Sequence, residues 1–228
     1  MELLRREARL AEVGTIQGED GEPGMIPVRP QTPPKNFDAK VRVPGLAWLA
    51  TNNIPLAGKI PKGTKLPPHW RSVLPALHKK YDGVCAYLCV FDHRETGGVS
   101  TDHYVAKSRA AGQAYEWSNY RLACTAMNTK KRDYATVVDP FTLPGDSYRL
   151  DLVTGKMFPN PALPEATQRV LRVSMRRLGL DRPNRAMRAK YVGEYIAMRG
   201  PAPNPAVEDH LKRHAPFVWY EAQRQGLL

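Results

Sequence analysis

A chain of 228 residues, 42% hydrophobic and 25% charged, has the composition of a globular protein with a sizeable core. Its formal net charge of +12 attracts polyanions, nucleic acid first among them, unless the basic surface serves only solubility. No apolar run reaches membrane-spanning length, and the start MELLRREARLAEV lacks the apolar core of a secretion signal. Three cysteines are odd in number and too sparse for a disulfide framework, so the expected setting is the cytoplasm.

In chain order, residues 1–13 predict a short helix with Leu3, Leu4, Leu10 and Val13 on one side, followed by a Gly/Pro-rich stretch. Residues 1–36 are thus expected to form a flexible arm, and 37–82 an irregular Pro-rich wrap ending in a helix. In that helix, 68–81, Trp70, Val73, Leu74 and Leu77 recur at helical spacing. A central core, 83–160, follows: strands at 85–91, 99–105 and 120–124, a helix at 126–134, and a hairpin at 148–158 turning at Thr154-Gly155. Residues 161–228 predict a basic helical lobe, with helices at 164–178, 184–198, 206–214 and 217–225. The first turns Val170, Leu171, Met175 and Leu178 inward; the second turns in Met187, Tyr191, Tyr195, Ile196 and Met198. The fold class is α+β. The apolar Pro216 to Tyr220 either folds back onto the core or docks on another subunit.

The chemistry concentrates between Ser100 and Asp133. Asp102-His103, Asn119, Asn128 and the cations Lys130, Lys131 and Arg132 together supply what metal-assisted attack on a phosphodiester needs. An imidazole titrates near neutrality, so His103 is the expected base. Asp102 and the Asn128 carbonyl are hard oxygen donors, suited to Mg²⁺ or Mn²⁺ with waters and phosphate completing the shell. Adjacent strand residues face opposite ways, so Asp102 and His103 converge on one phosphate only if the chain bends or the metal sits aside. Asn119 reads as a brace for the loop carrying His103. Lys131, one helical turn after Asn128, is expected at a phosphate, with Lys107, Lys130 and Arg132 on the flanking backbone. A basic first helical turn opposes the helix dipole, which an anion bound there would explain.

These motifs, Asp102-His103, Asn119-Tyr120-Arg121-Leu122-Ala123-Cys124 and Asn128-Thr129-Lys130-Lys131, resemble the HNH nucleases of the ββα-metal group. Lys107-Ser108, Trp117, Asp139-Pro140 and Leu178-Gly179-Leu180 resemble a branch of small stand-alone members. Some of that branch are effectors partnered with ATPases in Septu-type and retron-linked antiphage systems. The resemblance implies a hairpin and helix clasping one divalent ion, an endonuclease acting on nucleic acid with DNA favoured, and an ATPase partner. The Cys-x-x-Cys pairs that hold a structural Zn²⁺ in many relatives are degraded: Cys85 and Cys89 are spaced differently, and Met127 replaces a thiolate beside Cys124. Those cysteines are expected to pack, not to ligate. A non-catalytic nucleic-acid-binding module and an RNA-cleaving nuclease stay open as alternatives.

Overall fold

The computed structural model describes residues 28–201 and 204–228; the expected helix at 1–13 and most of the expected arm lie outside them. The chain divides into two units. One comprises 30–88 with 92–135; the other is built from 136–228 with Cys89–Phe91. The class is mixed α+β, with two small antiparallel sheets. No described helix is long and apolar enough to cross a membrane.

In the first unit a π-helical turn, Asp38–Arg42, runs directly into α1, Val43–Thr51. A 3-10 turn at His69–Val73 likewise leads into α2, Leu74–Lys80. The first of these corrects the expectation of an irregular wrap. Pro44 and Pro75 each fall in the first turn of an α-helix, where a missing N–H costs little. Phe37, Val41 and Leu49 from this stretch are fully buried with Leu77, Ala114, Tyr115, Tyr120 and Leu122 in one core. Gly45 is needed there, because a Cβ would overlap the ring of Tyr115.

The segment read as a strand at 85–91 is instead a buried turn, since Cys89 adopts φ +54°, which a strand does not admit. A short apolar run carries no periodicity that separates the two. Strands β1, Val99–His103, and β2, Tyr120–Cys124, pair antiparallel with Val99 opposite Cys124 and His103 opposite Tyr120. Every residue of β2 is buried, so both faces of the hairpin are covered. Helix α3, Thr125–Lys131, leaves β2 without a linker, and its Thr125 N–H bonds the Gly98 carbonyl at 2.7 Å. That bond fixes the start of the helix beside the start of β1.

In the second unit β3, Tyr148–Leu150, and β4, Met157–Pro159, form the expected hairpin. Helices α4, Glu165–Leu178, α5, Arg185–Arg199, α6, Pro205–His214, and α7, Pro216–Arg224, follow. Two buried charges tie this unit together. Glu221 accepts the Leu150 N–H at 3.0 Å and a forked pair of bonds from Arg224, while Arg188 donates to the carbonyls of Gly155 and Leu180. Pro216, Phe217 and Val218 are buried within the unit, so the apolar end of the chain folds back. Tyr195 is buried as expected, but Ile196 and Met198 are 49% and 58% exposed; Arg188 and Val192 join Tyr195 on the inward side of α5, one stripe at helical spacing.

Candidate active site

The hairpin and α3 place the motif residues on two sides of β1. Asp102 turns toward α3. Its Oδ1 accepts from Lys131 Nζ at 3.1 Å and its Oδ2 from the Tyr87 hydroxyl at 2.6 Å. His103, the next residue, turns the other way, as strand geometry requires. Its ring meets Trp70 edge-on at 4.8 Å between centroids and Tyr120 at 5.1 Å, and its Nε2 lies 3.1 Å from the Ala114 carbonyl. β1 pairs regularly through both residues, so the two side chains lie on opposite faces and the structure does not bring Asp102 and His103 together.

A carbonyl oxygen only accepts, so Nε2 carries the proton and Nδ1 holds the lone pair. That Nδ1 has no hydrogen-bond partner among the described residues. Burial, reinforced by the charges of Lys107 and Lys131 and opposed by the Ala114 carbonyl, depresses the His103 pKa to about 3. At neutral pH the group is an uncharged imidazole with its lone pair on Nδ1, and the same burial makes it a weaker proton acceptor than a free imidazole.

Asn119, expected as a brace for the loop carrying His103, holds the loop that follows β1. Its Oδ1 accepts the Val105 N–H at 2.7 Å, and its Nδ2 donates to the carbonyls of Val105 at 3.0 Å and Gln113 at 2.8 Å. The loop it closes carries Ala114, the partner of His103. Asn119→Ala is expected to cost about 3 kcal/mol, at roughly 1 kcal/mol per lost hydrogen bond, measured by urea unfolding. A loss near zero would show the loop to be held by other contacts.

The Lys131 expectation is corrected. Its side chain is 1% exposed, and besides Asp102 its ammonium donates to the carbonyls of His103 at 2.8 Å and Tyr104 at 3.0 Å. Three oxygens consume its three protons, leaving none for a phosphate. Lys130 and Lys131 also lie in the last turn of α3, where cations complement the dipole, so the argument for an anion at a basic first turn lapses. Arg132, exposed, follows as the C-cap at φ +50°. Lys130 is half-buried, and Lys107 packs its ammonium 4.7 Å from the centroid of the Trp70 ring.

Asn128 donates its amide to Ser100 Oγ at 3.0 Å, one strand repeat before the Asp102–Lys131 contact. The pairs Asn128–Ser100 and Lys131–Asp102 thus lock one helix face onto one strand face. For a divalent ion the oxygens on this face are the Asn128 Oδ1, without a hydrogen bond among the described residues, and the Asp102 carboxylate, whose oxygens each keep a second lone pair. These are the donor types a hard cation takes, but with Asp102 2% exposed and paired to Lys131 a hydrated ion reaches the carboxylate only if that pair opens. No group of three or more His, Cys, Asp and Glu suited to a metal occurs among the described residues. Cys85, Cys89 and Cys124 are all buried free thiols. Cys85 Sγ accepts the N–H groups of Cys124 at 3.2 Å and Leu88 at 3.4 Å, tying the turn to the end of β2.

Tyr87 and Trp70 carry roles that their sequence surroundings did not announce. Tyr87 sits in an apolar run that reads as core, and Trp70 on a helical stripe that reads as packing. The chain was compared with protein-family models, curated proteins and solved structures, and none of the three comparisons returned a match.

Proposed function

We propose that this protein is a divalent-metal-dependent endonuclease that hydrolyses phosphodiester bonds in nucleic acid, DNA before RNA. The observation that supports it most is the setting of the His103 imidazole at the end of β1: anchored through Nε2 on the Ala114 carbonyl, with no hydrogen-bond partner for Nδ1 among the described residues. In this reading Nδ1 takes the proton of the attacking water, and the Ala114 carbonyl steadies the imidazolium that results. Asn119 keeps that carbonyl in place through the loop. Tyr87 and Lys131 hold the Asp102 carboxylate, and Asp102 and Asn128 are the oxygen donors that would hold the ion. Because Asp102 and His103 face opposite sides of β1, the reading requires the Asp102–Lys131 pair to open and the strand end to bend when ion and substrate bind. When bound, the ion supplies charge stabilisation at the phosphate and leaving oxygens. A role in antiphage defence and an ATPase partner are what the resemblance of the motifs implies, and both belong to the same proposal.

Purified protein incubated with supercoiled plasmid, and separately with RNA, is expected to nick or linearise the plasmid in Mg²⁺ or Mn²⁺ and to stop in EDTA. Salt-sensitive binding without cleavage under any metal would favour a non-catalytic binding module instead. RNA cut while plasmid is spared would move the substrate, not the chemistry.

A further inference from the structure

With Lys131 locked inside, the site needs another cation for the substrate, and Lys107 has the required properties. Its ammonium lies over the face of Trp70 at 4.7 Å, and the same indole stands edge-on to His103 at 4.8 Å. One side chain therefore positions both groups. Among the described residues no carboxylate comes within ion-pairing distance of Lys107. The carboxylate whose field favours its charge, Asp102, is already bonded to Lys131 and Tyr87. Burial pulls the Lys107 pKa below the ordinary lysine value, and Lys131 and Arg71 add repulsion that Asp102 only partly offsets. Arg71 follows Trp70 in the same 3-10 turn, is exposed, and also lacks an acidic partner among the described residues. A partly desolvated ammonium facing a second cation is costly unless an anion joins them. The ring face offsets part of that cost and fixes direction.

We propose that Lys107, braced on Trp70 and assisted by Arg71, forms the subsite for a substrate phosphate beside His103, the task that helix position would have given to Lys131. The inference rests on the nuclease reading for the identity of its ligand, a nucleic-acid phosphodiester. Lys107 touches the phosphate, Arg71 shares its charge, and Trp70 holds Lys107 at a fixed distance from the base.

The test is binding in EDTA, where no cleavage intervenes, with inorganic phosphate and a short DNA duplex as probes. Lys107→Met is expected to weaken both affinities about 10-fold or more, the loss of a charge-assisted contact. Lys107→Arg should keep most of the affinity, and Lys79→Met, on the exposed side of α2, all of it. Addition of phosphate should also shift the His103 imidazole resonances in the parent but not in Lys107→Met. If Lys107→Met lacks a cooperative melt, Lys107→Gln gives the same reading. Parental affinity for phosphate in a folded Lys107→Met or Lys107→Gln protein overturns the proposal. A parent that binds phosphate through Lys107 yet cuts nothing with Mg²⁺ or Mn²⁺ sinks the nuclease reading and leaves the subsite standing. A parent and Lys107→Met that cleave with equal kcat/KM sink the subsite alone.

Discussion

Lys131→Met is expected to destabilise the protein by about 3–5 kcal/mol, the range for removing one partner of a buried ion pair. The methionine keeps the apolar stem, so the loss is one of charge and hydrogen bonds. Asp102, 2% exposed, would retain only the Tyr87 hydroxyl, and the carbonyls of His103 and Tyr104 would lose their donor at the end of β1. Asp102→Leu combined with Lys131→Met should cost less than the sum of the two single changes, because no unpaired charge is left inside. Urea unfolding of the four proteins measures the coupling. A cost for Lys131→Met below about 1 kcal/mol, the level of an exposed pair, would mean that the ion pair opens to solvent.

His103→Gln is expected to lower kcat by about 10²–10⁴-fold, the usual contribution of a positioned general base. The amide can still reach the Ala114 carbonyl, so the fold should survive. The parent's own pH dependence carries a second mark. Because the folded His103 pKa is depressed to about 3 from 6.5, the base form persists well below neutrality. The acid limb of kcat/KM should therefore fall well under pH 6.5, and a limb centred there would contradict the buried, neutral imidazole. Stability follows the same sign. Above pH 6.5 neither state binds the proton; below it the unfolded chain does and the folded one does not. Stability is then lost toward pH 3, at up to about 1.4 kcal/mol per pH unit, and His103→Gln should remove that part of the slope.

Those two residues also show how much of the molecule its sequence discloses. β2 and the helices of the second unit begin and end within a residue or two of where apolar spacing puts them. Asn119, expected to brace the loop carrying His103, instead ties the loop after β1, through Val105 and Gln113. What spacing does not convey is depth. Lys131 reads as a surface cation, yet the strand ahead of it offers a carboxylate and two carbonyls at one point, and three acceptors outweigh the cost of taking an ammonium out of water. Pro44 was misleading for a similar reason. Proline's penalty depends on its place in a helix, and composition alone does not give the place. Tyr87 and Trp70 reach the site from fifteen or more residues away in the chain, through tertiary contacts that no local pattern encodes.

On the proposed nuclease reading His103 is the base of a phosphodiester hydrolase. The most direct measurement of that role is the nicking rate of supercoiled plasmid in Mg²⁺ by the parent and by His103→Gln, prepared together and matched in thermal melt. The expected result is steady conversion by the parent and little or none by the variant over the same interval. Equal rates from the two proteins, or no conversion by either in any divalent metal, would contradict it.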